Sequence, residues 1–170
     1  MIEQYFNPAQ QEVNLINARD SVDNRLRPSQ LLGGLANTKR CLTNTLPSML
    51  QHWERWGFHR GKHYLIGIKP PKKLGWPEPV IPPSNWENTI SFYNGSIGTI
   101  ISQDRKGTSN SLSLDYLDID EAKFINFEQL KDETFPANRG NVNLFGRHYY
   151  HHGMLITSDM PVTKKGSWFL

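Results

Sequence analysis

Residues 112–124, LSLDYLDIDEAKF, bring two adjacent carboxylates to the end of a short apolar run. Asp120 and Glu121 stand where that run gives way to a helix-compatible segment. In an open parallel sheet, functional groups gather at the carboxyl ends of the strands. An aspartate there can hold a magnesium ion, usually through water, while the following glutamate polarises an attacking water. The plainer account of the same pair is a helix N-terminus, which favours acids whatever the function. A second apolar run, GMLITS (153–158), ends in the hydroxyls Thr157 and Ser158. Hydroxyls in that position can donate to a phosphate oxygen or hold a water. They can equally be the end of a buried strand.

Two other groupings offer different chemistry. In RHYYHH, His148 and His152 are four apart, so a helix would turn both imidazoles to one ion, with His151 beside them. No acidic or cysteine ligand is near in sequence, so exposed histidines are the expected reading. The cations Lys39/Arg40, Lys69/Lys72/Lys73, Arg105/Lys106 and Lys164/Lys165 can meet phosphates, and Trp76 and Trp86 can stack on bases. Nothing in the spacing organises them into a DNA-reading module. They define the alternative to an enzyme: a non-enzymatic nucleic-acid-binding or assembly fragment.

The elements that must position these groups read as follows. Asn7 as N-cap, Pro8 at the first helical position and Gln10 as capping-box partner open a helix that runs to about Arg19. From Asp20 to Asn37 the period is lost, and loop or broken structure is expected. Leu42, Leu46, Met49, Leu50, Trp53 and Trp56 paint an apolar helical stripe stopped by Gly57. Pro47 should bend that helix or mark its true start. HYLIGI (63–68) reads as a strand, and the proline-rich stretch to Trp86 as a surface excursion. TISFYNGSIGTIIS reads as a hairpin with a two-residue Asn94–Gly95 turn. The acidic strand, a helix over INFEQLKDETF and the strand GMLITS complete an α/β domain with an added antiparallel hairpin. Asp118 conflicts with this scheme, because a central strand wants an apolar residue there. An edge position, loosened packing, a shifted pKa or a partner would relieve it.

Composition sets the outer bounds. With 170 residues, 37% of them hydrophobic and 11% aromatic, the chain has material for one globular domain. No apolar run approaches the ~18 residues of a membrane-spanning helix. The first residues carry neither a basic cap nor an apolar stretch, so no secretory signal is expected. A single cysteine, Cys41, forms no internal disulfide and suits a reducing compartment. The net charge of +3 permits a polyanionic partner without requiring one.

Set in order, these segments resemble the ATPase half of the phage terminase large subunit, the motor that packages DNA into viral heads. The similar stretches are FNPAQQEVNLINARDSV, LTNTLPSMLQHWERWGF, ISFYNGSIGTIISQDRKGTSNSLSLDYLDIDEAKF, LKDETFPAN and MLITSDMPVTKKGSWF, which cover most of the chain. Its most specific part is the order of glutamine, acidic strand and a strand followed by Pro–x₄–Gly–x–Trp–Phe. The resemblance implies a partial P-loop NTPase sheet of the RecA-like (ASCE) kind. It makes Asp120 the magnesium aspartate, Glu121 the catalytic glutamate, and Thr157 and Ser158 the coupling motif between hydrolysis and domain movement. Gln11, or else Gln10, becomes the adenine-side glutamine. Arg105 becomes a candidate arginine finger toward a phosphate or a neighbouring subunit. The implied cofactors are ATP and Mg2+. The implied partners are double-stranded DNA, a portal protein and the small terminase subunit, in the cytoplasm of an infected bacterium. The departures matter as much. No Gly-x₄-Gly-Lys-[Ser/Thr] loop occurs anywhere in the sequence, and the phosphate-loop segment appears missing near 22–37. The family's nuclease domain is absent too. A weakly active or inactive ATPase is therefore expected.

Overall fold

The computed structural model describes residues 30–32, 46–79, 81–103, 106–107, 109–110, 112–119, 122–140, 142–145 and 151–170. The expected first helix and its glutamines, Gln10 and Gln11, lie outside these. So do Arg105, Asp120 and Glu121 themselves, and Lys39, Arg40, Cys41 and His148.

Two three-stranded sheets form a mixed α/β fold. One is parallel, in the order β1 (Gln30–Leu32), β5 (Tyr116–Ile119), β6 (Gly153–Ile156). The other is antiparallel, β2 (Tyr64–Ile66), β3 (Thr89–Phe92), β4 (Ile97–Thr99). The expected hairpin is therefore two strands of a larger sheet, extended by the HYLIGI strand.

Strand β1 corrects the expectation of loop between Asp20 and Asn37. Three residues between Pro28 and Gly33 are too few to show a period. Their strand conformation comes from pairing with β5, Leu31 opposite Asp118 and Leu32 opposite Ile119. Parallel neighbours need a crossover connection. Between β5 and β6 it consists of a 3₁₀ turn (Ala122–Phe124), α2 (Phe127–Gln129), a π-helical turn (Leu130–Thr134), α3 (Phe135–Ala137) and α4 (Val142–Phe145). Asn126 caps α2 by accepting from the Gln129 N–H. The π-helical turn closes with the Phe135 N–H on the Leu130 carbonyl. It stands directly before Pro136, which has no N–H and whose ring crowds the preceding turn of a regular helix.

Helix α1 (Leu46–Arg55) begins with Pro47 at its second residue, so the proline marks the start and does not bend it. The helix ends in a Schellman turn: Phe58 N–H reaches the Trp53 carbonyl at 2.8 Å and Gly57 N–H the Glu54 carbonyl at 3.1 Å. Gly57 takes the required positive φ of 85°. The accompanying apolar contact is Phe58 edge-on to Trp53, ring centres 5.4 Å apart. Trp56 falls at this cap and is 56% exposed, so it does not extend the buried stripe as expected.

The hairpin register, Thr89 opposite Thr99 and Ser91 opposite Ile97, leaves Tyr93, Asn94 and Gly95 as a three-residue loop. This corrects the expected two-residue turn. Gly95, at φ 87°, donates to the Phe92 carbonyl, and Ser96 N–H reaches the Asn94 side chain. A Cβ on Gly95 would also meet the Pro77 carbonyl at 3.0 Å. The proline-rich excursion thus folds back over the hairpin tip.

Each sheet has its own apolar cluster. Trp53, Tyr64, Ile90, Phe92 and Ile100 fill the first, with Leu50, Phe58 and Ile66 against them. Ile101, Leu114, Leu117, Ile119, Ala122, Ile125, Leu130 and Ala137 fill the second. Adjacent Ile100 and Ile101 enter different clusters and so tie the two sheets together.

Candidate functional site

Strand β5 is the central strand of the parallel sheet, buried along its whole length. Leu117 and Ile119 enter the second cluster. Asp118, opposite Leu31 and Leu155, is 2% exposed. This overturns the expected edge position or loosened packing: the carboxyl group is held inside the sheet and interacts there.

The end of β6 lies directly beside the end of β5. Thr157 N–H donates to the Ile119 carbonyl at 2.8 Å, and Ala122 N–H donates to the Thr157 carbonyl at 3.1 Å. Ile119 and Ala122 flank Asp120 and Glu121 in sequence. The backbone on both sides of the acidic pair is therefore hydrogen-bonded to one residue of the neighbouring strand.

The two hydroxyls differ in their surroundings. Buried Thr157 turns Oγ1 toward the Ile119 carbonyl at 3.4 Å. Ser158 Oγ accepts the Lys123 N–H at 3.2 Å. A hydroxyl that accepts through one lone pair still has its own proton to donate. Of the pair, Ser158 is the better placed to meet an oxygen at the end of the sheet, while Thr157 serves chiefly to join the strands.

The C-terminal segment encloses the same turn from another side. Its 3₁₀ turn (Lys164–Ser167) is capped by Thr163, whose Oγ1 accepts from the Gly166 N–H. Trp168 Nε1–H donates to the Ala122 carbonyl at 2.9 Å. Lys123 forms an ion pair with Asp159 and lies over the Phe124 ring. A shallow hollow of about 210 Å³ lies here, between Lys123–Asn126 and Thr163, Lys165 and Gly166. It is smaller than the ~300–1,000 Å³ usual for small-molecule sites.

The loop carrying Arg105 is fastened at both ends. Gln103 exchanges two hydrogen bonds with the Asn126 backbone, 2.7 and 3.1 Å, and Gly107 N–H reaches Glu133 at 2.8 Å. Ser109 and Thr134 join their hydroxyls at 3.1 Å. None of these contacts was signalled by residue spacing, because each joins residues more than 20 apart.

The histidine grouping takes a different form from the expected helix. His151 and His152 lie in a turn before β6, with rings stacked at 3.9 Å, and His152 has φ 61°. His151 is buried with Nε2 3.6 Å from Asp115 Oδ1, so an acid does stand beside it, supplied by the segment leading into β5. Among the described residues no group of three or more His, Cys, Asp or Glu could hold a metal ion. Lys72, Lys73, Lys164 and Lys165 are exposed, and Trp76 and Trp86 are half-buried. No helix among the described residues is long and apolar enough to cross a membrane.

Comparison with protein-family models, curated proteins and solved structures finds no match to this chain.

Proposed function

We propose that this chain is an ATPase segment of a DNA-packaging motor of the terminase large subunit kind, incomplete in its nucleotide site. The reading starts from the resemblance of LSLDYLDIDEAKF and MLITSDMPVTKKGSWF to that family. The structural observation that supports it is the bracketing of the acidic pair at the carboxyl end of a central parallel strand. That is where a P-loop NTPase sheet of the RecA-like kind would present a metal aspartate and a catalytic glutamate.

Each residue then has a chemical task. Asp120 would hold magnesium and Glu121 would polarise the attacking water. Ser158 would meet the terminal phosphate or that water, and Thr157 would link the site to movement of β6. Gln11 or Gln10 would face the adenine, and Arg105 would approach a phosphate or a neighbouring subunit. Double-stranded DNA, a portal protein and a small terminase subunit are the proposed partners, in the cytoplasm of an infected bacterium.

The residues present fit magnesium better than they fit the triphosphate. Magnesium retains several waters and needs only one or two carboxylates, which Asp120 and Glu121 can supply. Bound there, it would neutralise charge on phosphate oxygens. A triphosphate also needs a cradle of backbone amides and a lysine, and no such loop exists in the sequence. The chain's own contribution is accordingly orientation of two acids and one hydroxyl, with weak hold on the nucleotide.

Manganese, as a spectroscopic stand-in for magnesium, tests the acid site. Binding should fall at least ~10-fold in Asp120→Asn, while Glu121→Gln retains most of it. Turnover of ATP by the unaltered chain should stay near background. Manganese binding indifferent to Asp120→Asn would remove the proposed site. Sustained turnover abolished by Glu121→Gln would overturn the incompleteness.

A further inference from the structure

We infer that Trp168 is a positioning residue for the acidic pair, a role that rests on the reading of Asp120 and Glu121 given above. Bonds to Thr157 hold the backbone at Ile119 and at Ala122 N–H, but they leave the direction in which the chain departs after Ala122 unset. Ala122 is fully buried, so its carbonyl must find a donor inside the protein. That donor is the indole Nε1–H of Trp168, at 2.9 Å.

Three contacts fix the direction of this donor. The indole ring stacks on Phe127 at 5.1 Å with 22° between planes, and it stands edge-on to Phe169 at 5.6 Å. Both partners belong to segments already packed on the second apolar cluster. Gly166 brings the backbone of the C-terminal turn so near the Ala122–Phe124 turn that a Cβ would lie 3.0 Å from the Lys123 carbonyl. The Trp–Gly spacing in GSWF therefore has a geometric meaning: glycine permits the approach and tryptophan closes the hydrogen bond.

A tryptophan that merely fills space would affect melting temperature and nothing else. A positioning tryptophan also changes how well the two acids hold a cation. The test uses the whole chain with manganese as probe, Trp168→Phe to retain a stacked ring without the N–H, and β-(3-benzothienyl)alanine at 168 to replace only that N–H by sulfur. Val162→Ser, at a 97% exposed position of the same segment, is the control. Both position-168 variants should weaken Asp120-dependent manganese binding roughly 10-fold. Both should speed amide exchange at Lys123, and the control should change neither. Equal manganese affinity in the benzothienyl variant and the unaltered chain would overturn the positioning role while leaving the acid site intact. Absence of Asp120-dependent binding in the unaltered chain would overturn both.

Discussion

Glu54 accepts three hydrogen bonds: His59 Nδ1–H at 2.7 Å, Arg60 N–H at 2.6 Å and the Tyr64 hydroxyl at 3.0 Å. The Arg60 amide above all, then His59, holds its carboxyl below the usual value of 4.5. Burial first, then Glu54, pushes the Tyr64 phenol above its usual 10. His63 accepts the His59 N–H through Nδ1, and burial with nearby Lys62 lowers its pKa from 6.5. The lowered groups stabilise the fold above their unfolded values and lose that contribution as pH falls, His63 from 6.5 downward and Glu54 from 4.5. Tyr64, raised, contributes below pH 10 and loses its contribution as pH rises above it. Thermal melting against pH should therefore decline on both sides of this window, and Tyr64→Phe should flatten the alkaline limb. A variant with an unchanged alkaline limb would show that Tyr64 is not the group responsible. A second residue-scale prediction concerns Gly140, at φ 30°, where a Cβ would collide with the buried Asp115 carboxylate beside His151. Gly140→Ala should destabilise by ~1–3 kcal/mol in urea unfolding. Neither cluster was visible in the sequence, since their members are charged residues without a shared period.

Among elements, those with a local signal were legible and those made by pairing were not. The stripe from Leu46 to Trp53 and the stop at Gly57 gave α1 its limits, because capping chemistry is encoded within a few residues. Asn94–Gly95 located the hairpin, but its loop length depends on how β3 and β4 align, which spacing alone left open. Strand β1 carried no pattern at all. The Pro–x₄–Gly–x–Trp–Phe stretch was legible as a motif, yet its packing onto the Ala122–Phe124 turn was not. That packing makes Gly166→Ala an element-scale test. The new methyl would press on the Lys123 carbonyl at 3.0 Å and Pro161 at 3.3 Å, destabilising by ~1–3 kcal/mol in denaturant melts. Amide exchange should then quicken first in residues 122–124 and 164–167, not across the antiparallel sheet.

For the whole molecule, the alternation of strand and helix signals was enough to anticipate a mixed α/β fold, but not its division into two sheets with separate apolar clusters. Burial of Leu117 at 0% and Trp53 at 1% places one anchor in each. Leu117→Ala should cost ~2–5 kcal/mol and Trp53→Ala ~3–5 kcal/mol, each a large share of the ~5–15 kcal/mol typical of a domain. If the Ile100–Ile101 junction couples the sheets, either change lowers a single unfolding transition seen alike by far-UV circular dichroism and tryptophan fluorescence. Two separated transitions would mean that the sheets unfold independently.

The bonds that Thr157 makes to Ile119 and Ala122 use only main-chain atoms. Substitutions at 157 can leave both in place, whereas a residue added or removed between Ile119 and Ala122 must break at least one. At this point of the chain the count of residues is constrained more tightly than their identity, so point variants there should remain folded where single-residue insertions and deletions do not.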